Sequence, residues 1–182
     1  MRTLPLFTAA LALVFSPLLH AGDILVKKGD SIAFLGDSIT YQGAASAGGY
    51  VRLVASGLAA QGIDVTVIPA GIGGNKSDQM LARLDKDVLA QKPVWMTLSC
   101  GVNDVWHGAR GIPLDAYKKN ITEILDRCQH AGVKVVVLTS TQIKLPLTNA
   151  ENVKLADYNA FLRDIAKARH LPLADLNTDM AA

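Results

Sequence analysis

Three short blocks in this 182-residue chain carry residues that could do chemistry. The first is Gly36-Asp37-Ser38-Ile39-Thr40, with one serine in a tight polar turn. The second is Gly71-Ile72-Gly73-Gly74-Asn75-Lys76-Ser77, whose glycines let backbone N–H groups approach a ligand closely. The third is Gly101-Val102-Asn103-Asp104, where an asparagine amide could donate to a developing oxyanion. A hydroxyl nucleophile beside fixed N–H donors is what acyl transfer through a tetrahedral intermediate needs.

Each block also has a plain reading. Gly-Asp-Ser can be an ordinary Asp/Ser turn, and Asn103-Asp104 an N-cap pair for the following helix. The nucleophile elbow G-x-S-x-G would need glycine at 40, where the chain has Thr40. A dinucleotide fingerprint starting at Gly71 would need glycine at 76, where Lys76 stands, and no Walker A loop follows a strand. A flavodoxin-like nucleotide binder therefore lacks its phosphate loop. What distinguishes the blocks is their placement on successive strand ends.

Apolar strands alternate with amphipathic helices along the chain. Strands are expected at Ser31–Leu35, Val65–Ile68, Val94–Ser99, Val133–Ser140 and Leu171–Leu176. Pro69 reads as the break after the second. Helices are expected at Gly49–Gln61, Ser77–Gln91, Leu114–Ala131 and Glu151–Arg169, with Ser77 or Asp78 as a possible N-cap and Gly132 as a stop signal. This pattern predicts βαβ units in one α/β domain with a parallel sheet covered on both faces. Ligands of such sheets bind beyond the carboxyl ends of the strands, where all three blocks fall.

Composition narrows the rest. Eighteen Lys+Arg against 16 Asp+Glu leave a net charge of +2, no electrostatic footprint for nucleic acid. Two cysteines cannot build a disulfide framework, although Cys100 and Cys128 could pair or remain buried thiols. No His/Cys/Asp cluster has metal-ligand spacing, so neither a metal nor a cofactor is expected. Met1-Arg2 followed by the apolar stretch Leu4–Leu19 reads as a signal peptide over residues 1–21, cleaved after Ala21. The stretch is short and broken by Pro5 and Pro17, so no stable membrane anchor is expected after cleavage. The expected domain is residues 22–182 of an exported (periplasmic or secreted) protein.

Phe34-Leu35-Gly36-Asp37-Ser38-Ile39-Thr40, Gly71-Ile72-Gly73-Gly74-Asn75 and Gly101-Val102-Asn103-Asp104 resemble blocks I, II and III of the SGNH (GDSL-type) hydrolases, in order and spacing. The resemblance runs from about Ile32 to the C-terminus. It implies a three-layer α/β/α fold with a five-stranded flavodoxin-like sheet in the order 2-1-3-4-5. It also implies a serine esterase acting through an acyl-enzyme on a small-molecule or carbohydrate ester, with short acyl chains such as O-acetyl groups. Ser38 corresponds to the nucleophile. The Ser38 N–H, the Gly74 N–H and the Asn103 amide correspond to the oxyanion hole, Gly74 being chosen over Gly73 because it directly precedes Asn75. Asp37 is expected to order the serine turn and Asn75 to brace the second loop, with Trp106 and His107 as further pocket wall.

One family element has no counterpart. The Asp-x-x-His that follows the fifth strand is missing; Asp104-Val105-Trp106-His107 has the spacing but belongs to the third block. His130 and His170 lie elsewhere, and Lys167 occupies the position three before His170. The catalytic Asp and His are therefore expected outside this chain, together with the last helix, the domain being C-terminally incomplete and this chain alone inactive. The rival expectation is a non-catalytic relative that binds an acylated carbohydrate or lipid.

Overall fold

The computed structural model describes residues 24–181, so the expected signal peptide lies outside the described residues. Five strands, β1 (Ser31–Gly36), β2 (Thr66–Gly71), β3 (Trp95–Ser99), β4 (Lys134–Leu138) and β5 (Leu173–Ala174), form one sheet in the order β2-β1-β3-β4-β5. Every pairing is parallel. Helices α1 (Ser38–Ala45), α2 (Tyr50–Ala60), α3 (Ser77–Asp87), α4 (Val102–Trp106), α5 (Leu114–His130), α6 (Ala150–Ala168) and α7 (Leu176–Asp179) connect or follow the strands. The expected α/β fold and strand order are both present.

Strand alternation divides the core between two faces. Ala33, Leu35, Met96, Leu98, Val135 and Val137 pack with the apolar stripes of α3, α5 and α6, including Leu84, Ile121, Ile124 and Leu162. Ile32, Phe34 and Trp95 point the other way, against Tyr50, Val51 and Leu58 of α2. Burial on both sides explains why β1 and β3 read as nearly continuous apolar runs.

Several boundaries differ from those expected. Proline does not end β2: Pro69 pairs with Phe34 inside the strand. Its missing N–H costs nothing there, because among the described residues β2 is an edge strand with β1 as its only neighbour. Helices α1 and α4 begin inside the first and third blocks and are too short to show a 3.6-residue pattern. The expected Ser77–Gln91 helix ends at Asp87 and continues as a 3₁₀ turn at Leu89–Gln91. Neither Ser77 nor Asp78 is its N-cap: Lys76 holds that position, and its N–H donates to Gln79 Oε1 at 3.1 Å. Cys100 and Cys128 are free and buried rather than paired.

Register does the positioning. Gly36 pairs with Gly71, and Leu35 with both Ala70 and Leu98. The carboxyl ends of β1, β2 and β3 thus finish side by side, and each releases one of the three blocks. Gly71 permits the close approach, since a Cβ there would overlap the backbone of Thr40 and Tyr41 at the start of α1.

Candidate active site

Ser38 is the first residue of α1 and is partly exposed. Asp37 caps that helix, its Oδ1 accepting from the Ile39 N–H at 2.9 Å. A helix start leaves its first N–H groups without intrahelical partners. Among the described residues, neither the Ser38 N–H nor the Gly74 N–H donates to a protein acceptor. Gly74 adopts φ +75°, a left-handed conformation that side chains resist. Its neighbour Gly73 lies against the serine, a Cβ built there standing 3.9 Å from Ser38 Cβ.

The third block reaches the same place from α4. The Asn103 amide donates to Asp37 Oδ2 and to the Asn75 carbonyl, both at 3.1 Å. One side chain therefore ties the serine turn to the glycine loop. Both amide protons are thus engaged within the protein. Asp37 is almost wholly buried, and burial raises its carboxyl above the usual carboxylate range.

Asp104, beside Asn103, does not cap its own helix. Fully buried, it accepts from the Ser77 N–H at 3.0 Å and from Ser77 Oγ at 2.6 Å, capping α3 from across the site. Asn120 also donates to Ser77 Oγ at 3.0 Å. Desolvation raises the Asp104 carboxyl too, although its bonds to Ser77 pull it the other way.

A guanidinium completes the framework from below. Arg83 of α3 donates from Nε to Asn75 Oδ1 at 2.7 Å, and from one Nη to the carbonyls of Gly36 and Ala70, each at 2.9 Å. Its other Nη reaches Asp87 at 3.1 Å. Neither Arg83 nor the bracing role of Asp104 is evident in the motifs. The available signal is a cation three residues after Met80 and next to Leu84, on the buried stripe of α3.

Basic residues and His107 gather beside Gly74. Gly74, Lys76, Gln79, His107 and Arg110 line a hollow of about 200 Å³, with Lys76 Nζ fixed to the Arg110 carbonyl at 2.8 Å. Trp106 is half exposed, and Lys144 Nζ lies 5.2 Å from its ring centre. Among the described residues no histidine hydrogen-bonds Ser38. His130 turns Nδ1 to the Asp126 carbonyl at 2.7 Å. His170 sits at the amino end of the sheet, in a hollow of about 430 Å³ beside Trp95 and Lys134, away from the three blocks. Thr139 and Ser140 are tied inward, Ser140 Oγ to the Cys100 carbonyl and Thr139 Oγ1 to Asp175. Among the described residues no His/Cys/Asp/Glu group could hold a metal.

Comparison with known proteins gives a consistent result. The profile of the GDSL-like Lipase/Acylhydrolase family matches residues 34–182. An acetylxylan esterase of Geobacillus stearothermophilus is 27% identical over 128 residues, 65% of this chain and 58% of that protein. The esterase TesA of Pseudomonas aeruginosa is 32% identical over 96 residues, 53% of this chain and 46% of its own. The chain therefore spans about half the length of the curated relatives it matches. Among solved structures, the acetyl xylan esterase AlAXEase superposes with a TM-score of 0.76 at 33% identity, covering 82% of this chain and 78% of that one.

Proposed function

Because the chain belongs to the GDSL-like lipase/acylhydrolase family, we propose that the protein is a serine esterase with Ser38 as its nucleophile. The observation that supports this reading is that the Ser38 and Gly74 N–H groups have no protein acceptor among the described residues, while the Asn103 amide is tied to Asp37, the residue before Ser38, and to the carbonyl of Asn75, the residue after Gly74. A general base takes the Ser38 hydroxyl proton while Oγ attacks the ester carbonyl carbon. The carbonyl oxygen becomes an oxyanion, held by the Ser38 and Gly74 N–H groups and by a proton shared from Asn103. Collapse of the intermediate expels the alcohol, which leaves with the proton from the base. Water then attacks the acyl-enzyme by the same route and releases the carboxylic acid and free Ser38.

The chemistry requires a base, and a histidine after β5 is the one the resemblance implies. The hollow that His107 shares with Gly74, Lys76 and Arg110 supports a role for it in the pocket wall. Short acyl esters on carbohydrate are the proposed substrates. The acetylxylan esterase relatives support this, and the exposed Trp106 ring offers a sugar a flat apolar face. Export, as residues 1–21 suggest, would place the enzyme where such polymers occur.

The test is hydrolysis of p-nitrophenyl acetate and of acetylated xylo-oligosaccharide by the full-length protein and by Ser38→Ala. Loss of at least about 10³-fold in kcat is expected for the variant. Equal rates would rule out Ser38 as the nucleophile, and no hydrolysis by either protein would favour the rival reading of a binding protein that keeps the pocket without the chemistry.

A further inference from the structure

We propose that Arg83 is the positioning residue of this site, fixing the oxyanion donors relative to Ser38 through three hydrogen bonds at the base of the first two blocks. The role in catalysis rests on the esterase reading above; the geometric claim does not.

Arg83 lies under the site rather than in it. Its side chain is 12% exposed and enters from α3, the helix that the second block begins. One Nη spans the Gly36 and Ala70 carbonyls, at the neighbouring carboxyl ends of β1 and β2. Gly36 directly precedes Asp37-Ser38, and Ala70 precedes the glycine loop, so this nitrogen clamps the two loops from below, beside the Ile72 N–H that also donates to the Gly36 carbonyl at 3.1 Å. Nε holds Asn75 Oδ1 at 2.7 Å. The carbonyl of the same Asn75 receives the Asn103 amide, whose other proton goes to Asp37. A single planar group thereby governs a closed path: Gly36, Asp37, Asn103, Asn75 and back to Arg83.

The guanidinium fork suits this task because its donors keep fixed directions. A lysine ammonium at the same depth is a point charge on a flexible stem and cannot span both carbonyls while holding Asn75. The contact with Asp87 is separable, since it uses the other Nη and touches neither loop. Oxyanion donors act only when fixed where charge develops, and displacement by about 1 Å can cost about 10²-fold in rate. A residue that only stabilises the fold would lower the melting temperature and leave the folded fraction fully active.

The experiment compares full-length wild type with Arg83→Lys, Arg83→Met and Asp87→Asn. Steady-state kinetics on p-nitrophenyl acetate are read beside the ¹H–¹⁵N resonances of the Asn103 side-chain amide and the Gly74 N–H. Both Arg83 variants should lose about 10- to 100-fold in kcat with KM within about threefold. In both, the Asn103 and Gly74 resonances should move or broaden, while amide signals of the α5 core stay in place. Asp87→Asn should keep kcat within about twofold and leave those resonances unmoved. Should Arg83→Met fail to fold, Arg83→Lys alone carries the test. Folded Arg83→Lys with wild-type kcat and unshifted Asn103 and Gly74 signals overturns the assignment, as does Asp87→Asn with an equal loss of kcat. The resonances do not depend on activity: an inactive wild type would defeat the esterase reading while the positioning of the donors is still measured.

Discussion

The Asn103 amide donates to Asp37 Oδ2 at 3.1 Å, so the residue before the expected nucleophile holds the side chain expected to stabilise the oxyanion. Asp37 uses its two oxygens for separate tasks: Oδ1 caps α1 through Ile39, and Oδ2 orients Asn103. Helix start and oxyanion donor are thereby linked through one buried carboxyl.

Replacement of Asp37 by asparagine separates these tasks. Asn remains a good N-cap, so the bond to Ile39 survives. Its NH₂ group then faces the NH₂ of Asn103, donor against donor. Asp37→Asn is expected to lose about tenfold or more in kcat with little change in denaturation midpoint, whereas Asp37→Ala loses both kcat and about 1 kcal/mol of stability. Kinetics paired with urea unfolding check this; an Asp37→Asn variant of full activity would show that Asn103 needs no such anchor.

Asp104 is expected to matter for folding first. Asp104→Ala leaves the buried Ser77 N–H without its acceptor and should cost about 1–3 kcal/mol, read as a lowered urea midpoint at unchanged slope. A variant as stable as wild type would show that water or a rotated Asn120 replaces the carboxylate.

The same carboxyl predicts a pH dependence. Its folded value lies above 3.8 because burial disfavours the charged form. Folding is thus helped most while the group is protonated; that share is fully present below the unfolded value and is lost as pH rises through the folded one. Asp104→Asn cannot ionise, so the stability of the variant relative to wild type should rise as pH increases from below the ordinary carboxylate value toward neutrality. Urea unfolding across this range decides it, and a difference that stays flat or falls contradicts the assigned direction.

His107 and Trp106 should act on binding. His107→Ala and Trp106→Ala are expected to raise KM for an acetylated xylo-oligosaccharide several-fold, with kcat within about threefold and p-nitrophenyl acetate barely affected. Abolished turnover in His107→Ala would instead make His107 the base.

Both thiols should be inert in the native state. Cys100 and Cys128 are buried, and burial raises the Cys128 thiol to about 12, far from the thiolate range at neutral pH. Reaction with a thiol reagent should give two equivalents after unfolding and essentially none before; rapid native labelling would place one of them at the surface.

The three motifs lie at neighbouring strand ends, as expected, because residue type and spacing carried their placement: glycines at strand ends, a serine at a helix start, an asparagine one strand over. Alternating apolar runs pointed to a parallel α/β sheet, and the resemblance alone implied its strand order. What the sequence conceals is contact between distant elements. Arg83 lies 47 positions from the Gly36 carbonyl it holds, and Asp104 caps a helix begun 27 positions earlier. The run of Pro69 through β2 depended on the strand being an edge, a property of the assembled sheet. Short helices α1 and α4 hid for want of length, and their boundaries appeared only with their caps.

The central claim is that Ser38 is the nucleophile. Incubation of the full-length protein with diethyl p-nitrophenyl phosphate, followed by peptide mass mapping, tests it most directly. Phosphorylation forms a Ser–O–P bond and releases p-nitrophenolate, so one diethylphosphoryl group per chain should appear on the peptide containing Ser38, with esterase activity lost in proportion. A modified residue other than Ser38, or hydrolysis that persists in a fully labelled or Ser38→Ala protein, would contradict the account.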